Sequence, residues 1–177
     1  MKSRSLVLWL CIVVFSAEST LAQEFQYVGA AKCKICHNKP ATGQQFKIWS
    51  ESLHANAMKS LSNEKSMAYA KEHNIADPTK EAGCIKCHST AGSLKDSQMA
   101  GLTIAEGVSC ESCHGPGSAY KTNTIMKDKA LSVKNGLIIP DQKICEKCHN
   151  KDNPFYKAFN FTEASKKIAH PNPLVQK

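Results

Sequence analysis

Cys33-Lys34-Ile35-Cys36-His37, Cys84-Ile85-Lys86-Cys87-His88, Cys110-Glu111-Ser112-Cys113-His114 and Cys145-Glu146-Lys147-Cys148-His149 are four pentapeptides of one pattern. They sit in a chain of 177 residues with nine cysteines, of which only Cys11 lies outside them. Each motif is a C-x-x-C pair followed at once by histidine, the attachment signature of a c-type haem. The spacing follows from the chemistry. Two thiols must reach the two vinyl groups of one porphyrin edge, and the imidazole must lie under the iron of the same ring. On a helical turn, positions i, i+3 and i+4 share a face, so both sulfurs and the imidazole point one way. Four-cysteine zinc sites or disulfides would also use paired cysteines, but neither needs a histidine after every pair. With seven histidines in the chain, four such placements arise by composition at roughly two in a million.

The N-terminus reads as a secretory signal peptide over residues 1–22. Lys2 and Arg4 precede an apolar run from Leu6 to Phe15, and Thr20 and Ala22 are small residues before a cleavage point at Gln23. The run is too short to span a bilayer. Leu8-Trp9-Leu10 before Cys11 is too bulky for a lipoprotein signal, so Cys11 leaves with the leader. Residues 23–177 then form a single domain in which every cysteine is a haem anchor. No later segment is long and apolar enough to cross a membrane, so the expected location is the periplasm, or beyond it the extracellular space.

Four haems in about 155 residues leave roughly 39 residues each, too few for separate domains. The haems must share one body and lie close together. Only 7% of residues are aromatic and 42% hydrophobic, which leaves little conventional core. The formal charge of +8 at first suggests an acidic partner such as nucleic acid or anionic lipid. Without residues 1–22 it becomes +7, from 21 Lys against 14 Asp or Glu. Haem propionates then bring the holoprotein to about +3 oxidised and about −1 reduced. The basic balance is thus mainly a counterweight to the cofactor, and no nucleic-acid partner is expected.

The pattern is all-α: short helices and irregular loops around the haems. Phe46, Trp49, Leu53, Ala57 and Leu61 give helical spacing over 42–61. Further helices are expected over 63–73, ended by Asp77-Pro78, over 127–135 with Gly136 as cap, after Asp141, and from a Thr162 cap to Pro171. His37, His88, His114 and His149 are the proximal iron ligands. His54, His73 and His170 remain as candidates for the opposite face. His54 falls on a stripe with Met58 and Leu61, and His170 follows apolar Ile168-Ala169; both are expected distal ligands. His73 follows Lys71-Glu72 and reads as a surface residue.

The chain also resembles the tetrahaem cytochrome c-554 family. The resemblance is carried by Tyr27-Val28-Gly29-Ala30-Ala31-Lys32-Cys33, by Trp49 to Met58, by Gly107 to Gly117, by Phe159-Asn160-Phe161 and by Ile168-Ala169-His170-Pro171. It implies a mostly helical periplasmic electron carrier with closely stacked haems. Three of these have two histidine ligands, and the haem of the second motif is five-coordinate. His54 then matches the distal histidine of the first long helix, and His170 the C-terminal one. The family often carries a distal histidine shortly after the third motif, serving the first haem. Here Tyr120 stands near that place. The replacements, in order, are Met126, an open or water-bound iron, His73 and Tyr120.

The leading functional expectation is therefore electron transfer between redox partners, either cytochromes or a membrane-linked oxidoreductase, with no catalytic acid–base residue. An enzyme or ligand-binding role is the alternative, with nitric oxide or a similar small molecule reduced at an open haem over His88. A third reading is a subunit of an extracellular conducting assembly. Neither a Ser/His/Asp arrangement nor a phosphate-binding glycine loop is present.

Overall fold

The computed structural model describes residues 25–173, and the expected leader with Cys11 lies outside them. Among the described residues the fold is helical with no strands; a single parallel bridge joins Tyr27 to Met99. Ten short helices follow one another: α1 (Ala30–His37), α2 (Gln45–Ser50), α3 (Ala57–Ser60), α4 (Glu64–Glu72), α5 (Ala82–His88), α6 (Cys110–His114), α7 (Asn123–Met126), α8 (Lys129–Lys134), α9 (Gln142–Glu146) and α10 (Phe161–Ile168). The all-α expectation holds.

Local chemistry explains most boundaries. Asn63 caps α4 by accepting from Ser66 N–H at 2.8 Å, and the helix ends at His73. Asp128 caps α8 through Leu131 N–H, with Gly136 at φ 97° just beyond. Asp141 caps α9 through Ile144 N–H at 3.1 Å. These side-chain oxygens satisfy amides that the first helical turn leaves unpaired.

Two expectations need correction. The single helix over 42–61 is broken into α2 and α3. Ser52 Oγ accepts from Ala55 N–H and Asn56 Nδ2 donates to the Ser52 carbonyl, so polar side chains compete with the helical ladder. Leu53, expected on the buried stripe, is 91% exposed, and His54 lies in the turn. In the last helix Asn160 is the cap, accepting from Glu163 N–H at 3.1 Å, in place of Thr162. The helix stops at Ile168, and the Pro that follows His170 disfavours helix at that histidine.

Side chains bury little apolar surface. The fully buried hydrophobic residues are Val28, Ala30, Leu61, Ala70, Ile85, Ala91, Leu102 and Tyr120, half of them Ala or Val. A set this small falls short of an ordinary core for a domain of this length. Two cavities are instead lined in part by motif residues, Cys84, Cys87 and His88 in one and Cys113, His114 and Cys145 in the other.

Candidate functional site: the cysteine and histidine core

Helical turns carry the motifs as their spacing requires. Cys33, Cys36 and His37 end α1; Cys84, Cys87 and His88 end α5; Cys110, Cys113 and His114 make up most of α6. In the fourth motif α9 ends at Glu146, but His149 N–H still donates to the Cys145 carbonyl at 3.0 Å, so the turn continues. All eight cysteines are unpaired. Among the described residues no group of three or more Cys, His, Asp or Glu is arranged to hold a metal ion. Each motif thus sets its two cysteines and its histidine on one helical turn, the arrangement that thioether attachment of a porphyrin above an imidazole requires.

The imidazoles pair across the molecule. The His54 and His149 rings stand 6.1 Å apart at 79°, and those of His114 and His170 stand 6.0 Å apart at 81°. Two imidazoles on opposite sides of one metal, each bonded at about 2 Å, have centroids about 6 Å apart once half a ring is added at each end. Both pairs match that span, so the residues present fit a six-coordinate haem iron between them. Burial holds the imidazoles of His54 and His114 below the usual histidine range, with His149 and His170 respectively adding to the effect. The neutral ring is the ligating form.

Neighbouring groups orient these rings. His114 Nδ1 faces the Ile138 carbonyl at 3.2 Å, His170 Nδ1 the Ile168 carbonyl at 2.8 Å and His88 Nδ1 the Ala57 carbonyl at 2.8 Å. A carbonyl only accepts, so each Nδ1 carries the hydrogen and Nε2 is left with its lone pair. This backbone partner is the usual second support of a metal-bound histidine. Phe159 stacks on His149 at 4.8 Å, Asn160 caps α10, and Phe161 lines a cavity of about 510 Å³ together with His114 and His170. The tripeptide 159–161 thus serves both imidazole pairs.

The other expected residues fall elsewhere. His37 and His88 have no ring opposite them among the described residues. His88 lines a larger cavity of about 1010 Å³, which His73 and Tyr69 also line. Met126 ends α7, half-buried. The Tyr120 hydroxyl donates to the Gly115 carbonyl at 2.9 Å and faces that of His114 at 3.1 Å. Burial, with nearby Cys33 and Glu111, pushes this phenol far above its ordinary range. Tyr120 is thus held under the third motif by its hydroxyl.

Contacts between thiols order the motifs in space. Cys33 touches Cys110, Cys113 lies near Cys145 and Cys148, and Cys148 touches Cys87. The spatial order is first, third, fourth, second.

Sequence reasoning missed the residues that hold this order. Glu111, 1% exposed, sits between the cysteines of the third motif. Its carboxylate accepts from Val28 N–H (2.9 and 3.0 Å), Gly29 N–H (2.8 Å) and Gly117 N–H (2.6 Å). Glu106 accepts from Ala30 N–H at 2.8 Å. Two carboxylates from the third-motif segment therefore bind the start of α1, which carries the first motif. Gly107 holds the fourth site. A Cβ there would meet the carbonyl oxygens of His54 at 2.8 Å and Ala55 at 2.9 Å, at φ +69°. Val108 N–H donates to the His54 carbonyl at 3.0 Å, and Trp49 Nε1–H to that of Val108 at 2.9 Å. The available signal was an acidic residue inside a haem motif, flanked by glycines.

Comparison with known proteins agrees with this geometry. Residues 32–115 match the family model described as cytochrome c554 and c-prime. The chain is 28% identical over 145 residues to a curated protein named cytochrome c-554 from Nitrosomonas europaea. That match covers 77% of this chain and 57% of the relative, so the chain spans little more than half the relative's length. No solved structure matches.

Proposed function

We propose that this chain, whose residues 32–115 match the cytochrome c554 and c-prime family model, is a c-type cytochrome that carries four covalently attached haems and relays electrons along the order first, third, fourth, second motif. When bound, haem iron supplies a one-electron couple whose potential depends on axial ligand, burial and hydrogen bonding. The chain's own residues do the rest. Cys33 and Cys36, Cys84 and Cys87, Cys110 and Cys113, and Cys145 and Cys148 anchor the four porphyrins. His37, His88, His114 and His149 hold the irons from one side, with His170 opposite His114 and His54 opposite His149.

The observation that carries this reading is the pair of imidazole couples at 6.1 and 6.0 Å, each joining a motif histidine to one outside the motifs. A leader over 1–22 would deliver the chain to the periplasm, where such haems are attached. No helix among the described residues is long and apolar enough to cross a membrane. The partners are other redox proteins.

Intact-mass measurement of the purified protein should show four haem additions. The oxidised EPR spectrum should show low-spin signals that become high-spin in His54→Ala and His170→Ala, one haem each. Fewer than four additions, or variants with unchanged spectra, would overturn the assignment.

A second reading is favoured by one contrast. His114 and His149 each face a second imidazole, whereas among the described residues no ring stands opposite His88. In this second reading the haem of the second motif keeps one iron position for a small molecule. Carbon monoxide binding to the reduced protein tests it; no binding would restrict the protein to electron transfer.

A further inference from the structure

The helix α1 carries the first motif, and its two sides differ in kind. At about 3.6 residues per turn, Ile35 points roughly 150° away from the side shared by Cys33, Cys36 and His37. A porphyrin held on that side leaves Ile35 on the outside, and Ile35 is 70% exposed. Lys32 and Lys34 flank it and Lys39 follows the helix, all three exposed. The helix α2, which packs on α1, adds exposed Lys47 and Ile48. Lys34 Nζ lies over the Phe46 ring of α2 at 5.2 Å and joins the two helices. From Phe25 to Ser50 the chain has no Asp or Glu. Glu106 and Glu111 do reach α1, but they are bound to backbone amides at its N-terminal end. Both ion pairs among the described residues, Lys80–Asp77 and Lys166–Glu163, lie elsewhere. Each other motif has an acid in it or just before it: Glu81 at the second, Glu111 at the third, Asp141 and Glu146 at the fourth.

We propose that this outer face of α1 is the docking site for an electron-transfer protein with an acidic surface, which exchanges electrons with the haem of the first motif. The inference rests on the four-haem reading above. The first motif is one end of the spatial order, where a relay has to meet a partner. Its approach holds lysines and no free acid, so an acidic surface is attracted and a basic one repelled. Ile35 gives such a complex an apolar centre inside a polar rim, the usual anatomy of a protein interface. The second motif, at the other end, has Asp77, Lys80, Glu81 and Lys86 about it in the sequence, a mixture that does not select by sign. In the transfer step one electron leaves the reduced partner and one ferric iron becomes ferrous, with no bond formed or broken.

Oxidised flavodoxin, a small acidic flavoprotein, is the probe for the oxidised holoprotein, with affinity read by calorimetry so that no electron moves. Binding should be present at about 0.01 M salt, where charges act over about 30 Å, and weaken toward about 1 M, where they act over about 3 Å. Lys32→Glu/Lys34→Glu should weaken it about tenfold at low salt and converge with wild type as salt rises. Ile35→Ser should weaken it about tenfold at low and high salt alike, as loss of a central apolar contact does. The rate of reduction by flavodoxin hydroquinone should fall in the same variants. The rate with photoreduced lumiflavin, which is neutral, should stay within about twofold and so show that the haems are intact. No binding by wild type, equal affinities in wild type and both variants, or an equal loss in Lys86→Glu beside the second motif would overturn the proposal. So would binding of this face to phosphatidylglycerol vesicles, or to a second copy of the chain, in place of flavodoxin. Fewer than four haem additions by mass would instead overturn the four-haem reading.

Discussion

Glu111 sits inside the third motif but spends its hydrogen bonds on the first. Hydrogen bonds to a charged group contribute about 1.5–3 kcal/mol each, and an unpartnered carboxylate at 1% exposure would be untenable. The start of α1 is therefore both partner and dependant of this side chain. Glu106 is the weaker member of the clamp. Burial pushes its carboxyl above the ordinary value of 4.5, opposed by Ala30 N–H and reinforced by Glu111. A raised folded-state value means that the native protein holds this proton more tightly than the unfolded chain. Its contribution to stability is then greatest at low pH and declines as pH rises from 4.5 through the raised value. Thermal unfolding of wild type and Glu106→Gln across that window should show the wild type losing ground to the variant with rising pH. A constant difference would mean that Glu106 is not shifted. None of this was legible beforehand, because an acidic residue between two cysteines reads as a solvated position until the fold brings another helix's amides to it.

At the scale of elements, the sequence is legible where one side chain decides an end. Asn63, Asp141 and Gly136 mark boundaries through their own hydrogen bonds or their backbone freedom. It is misleading where periodicity competes with tertiary contacts, as between 50 and 57. There the apolar spacing of Trp49, Leu53 and Ala57 suggests one helix, but Ser52 and Asn56 turn the chain and the His54 carbonyl is taken by Val108 N–H. His54 thus reaches His149 from a turn and not from a helical stripe. Gly107 makes the approach possible, and Gly107→Ala tests it. The substituted residue would be strained at φ +69° and would press on two carbonyl oxygens, a cost of about 1–3 kcal/mol. We expect a lower unfolding midpoint together with a new high-spin EPR signal from the fourth site. Lower stability with the low-spin spectrum intact would show that His54 is held by other means.

At the scale of the whole molecule, the count of four sites is read directly from the motifs, but their neighbours are not. The chain visits the sites in one order and space arranges them in another, because Glu111 ties α6 to α1 while Cys148 meets Cys87. Sequence spacing carries no information about either contact. If the order is first, third, fourth, second, EPR should detect spin coupling between the first and third haems. That coupling should survive Cys84→Ser/Cys87→Ser, which removes the second haem, and vanish in Cys110→Ser/Cys113→Ser. Coupling between the first and second haems would refute the order. The clamp that ties the two motifs has a consequence for where charge rests. A carboxylate beside the first and third motifs would favour ferric over ferrous iron in haems held there, more than in haems of the fourth and second motifs. With the proposed haems in place, a single electron would then rest toward His88, so that end would fill first and empty last.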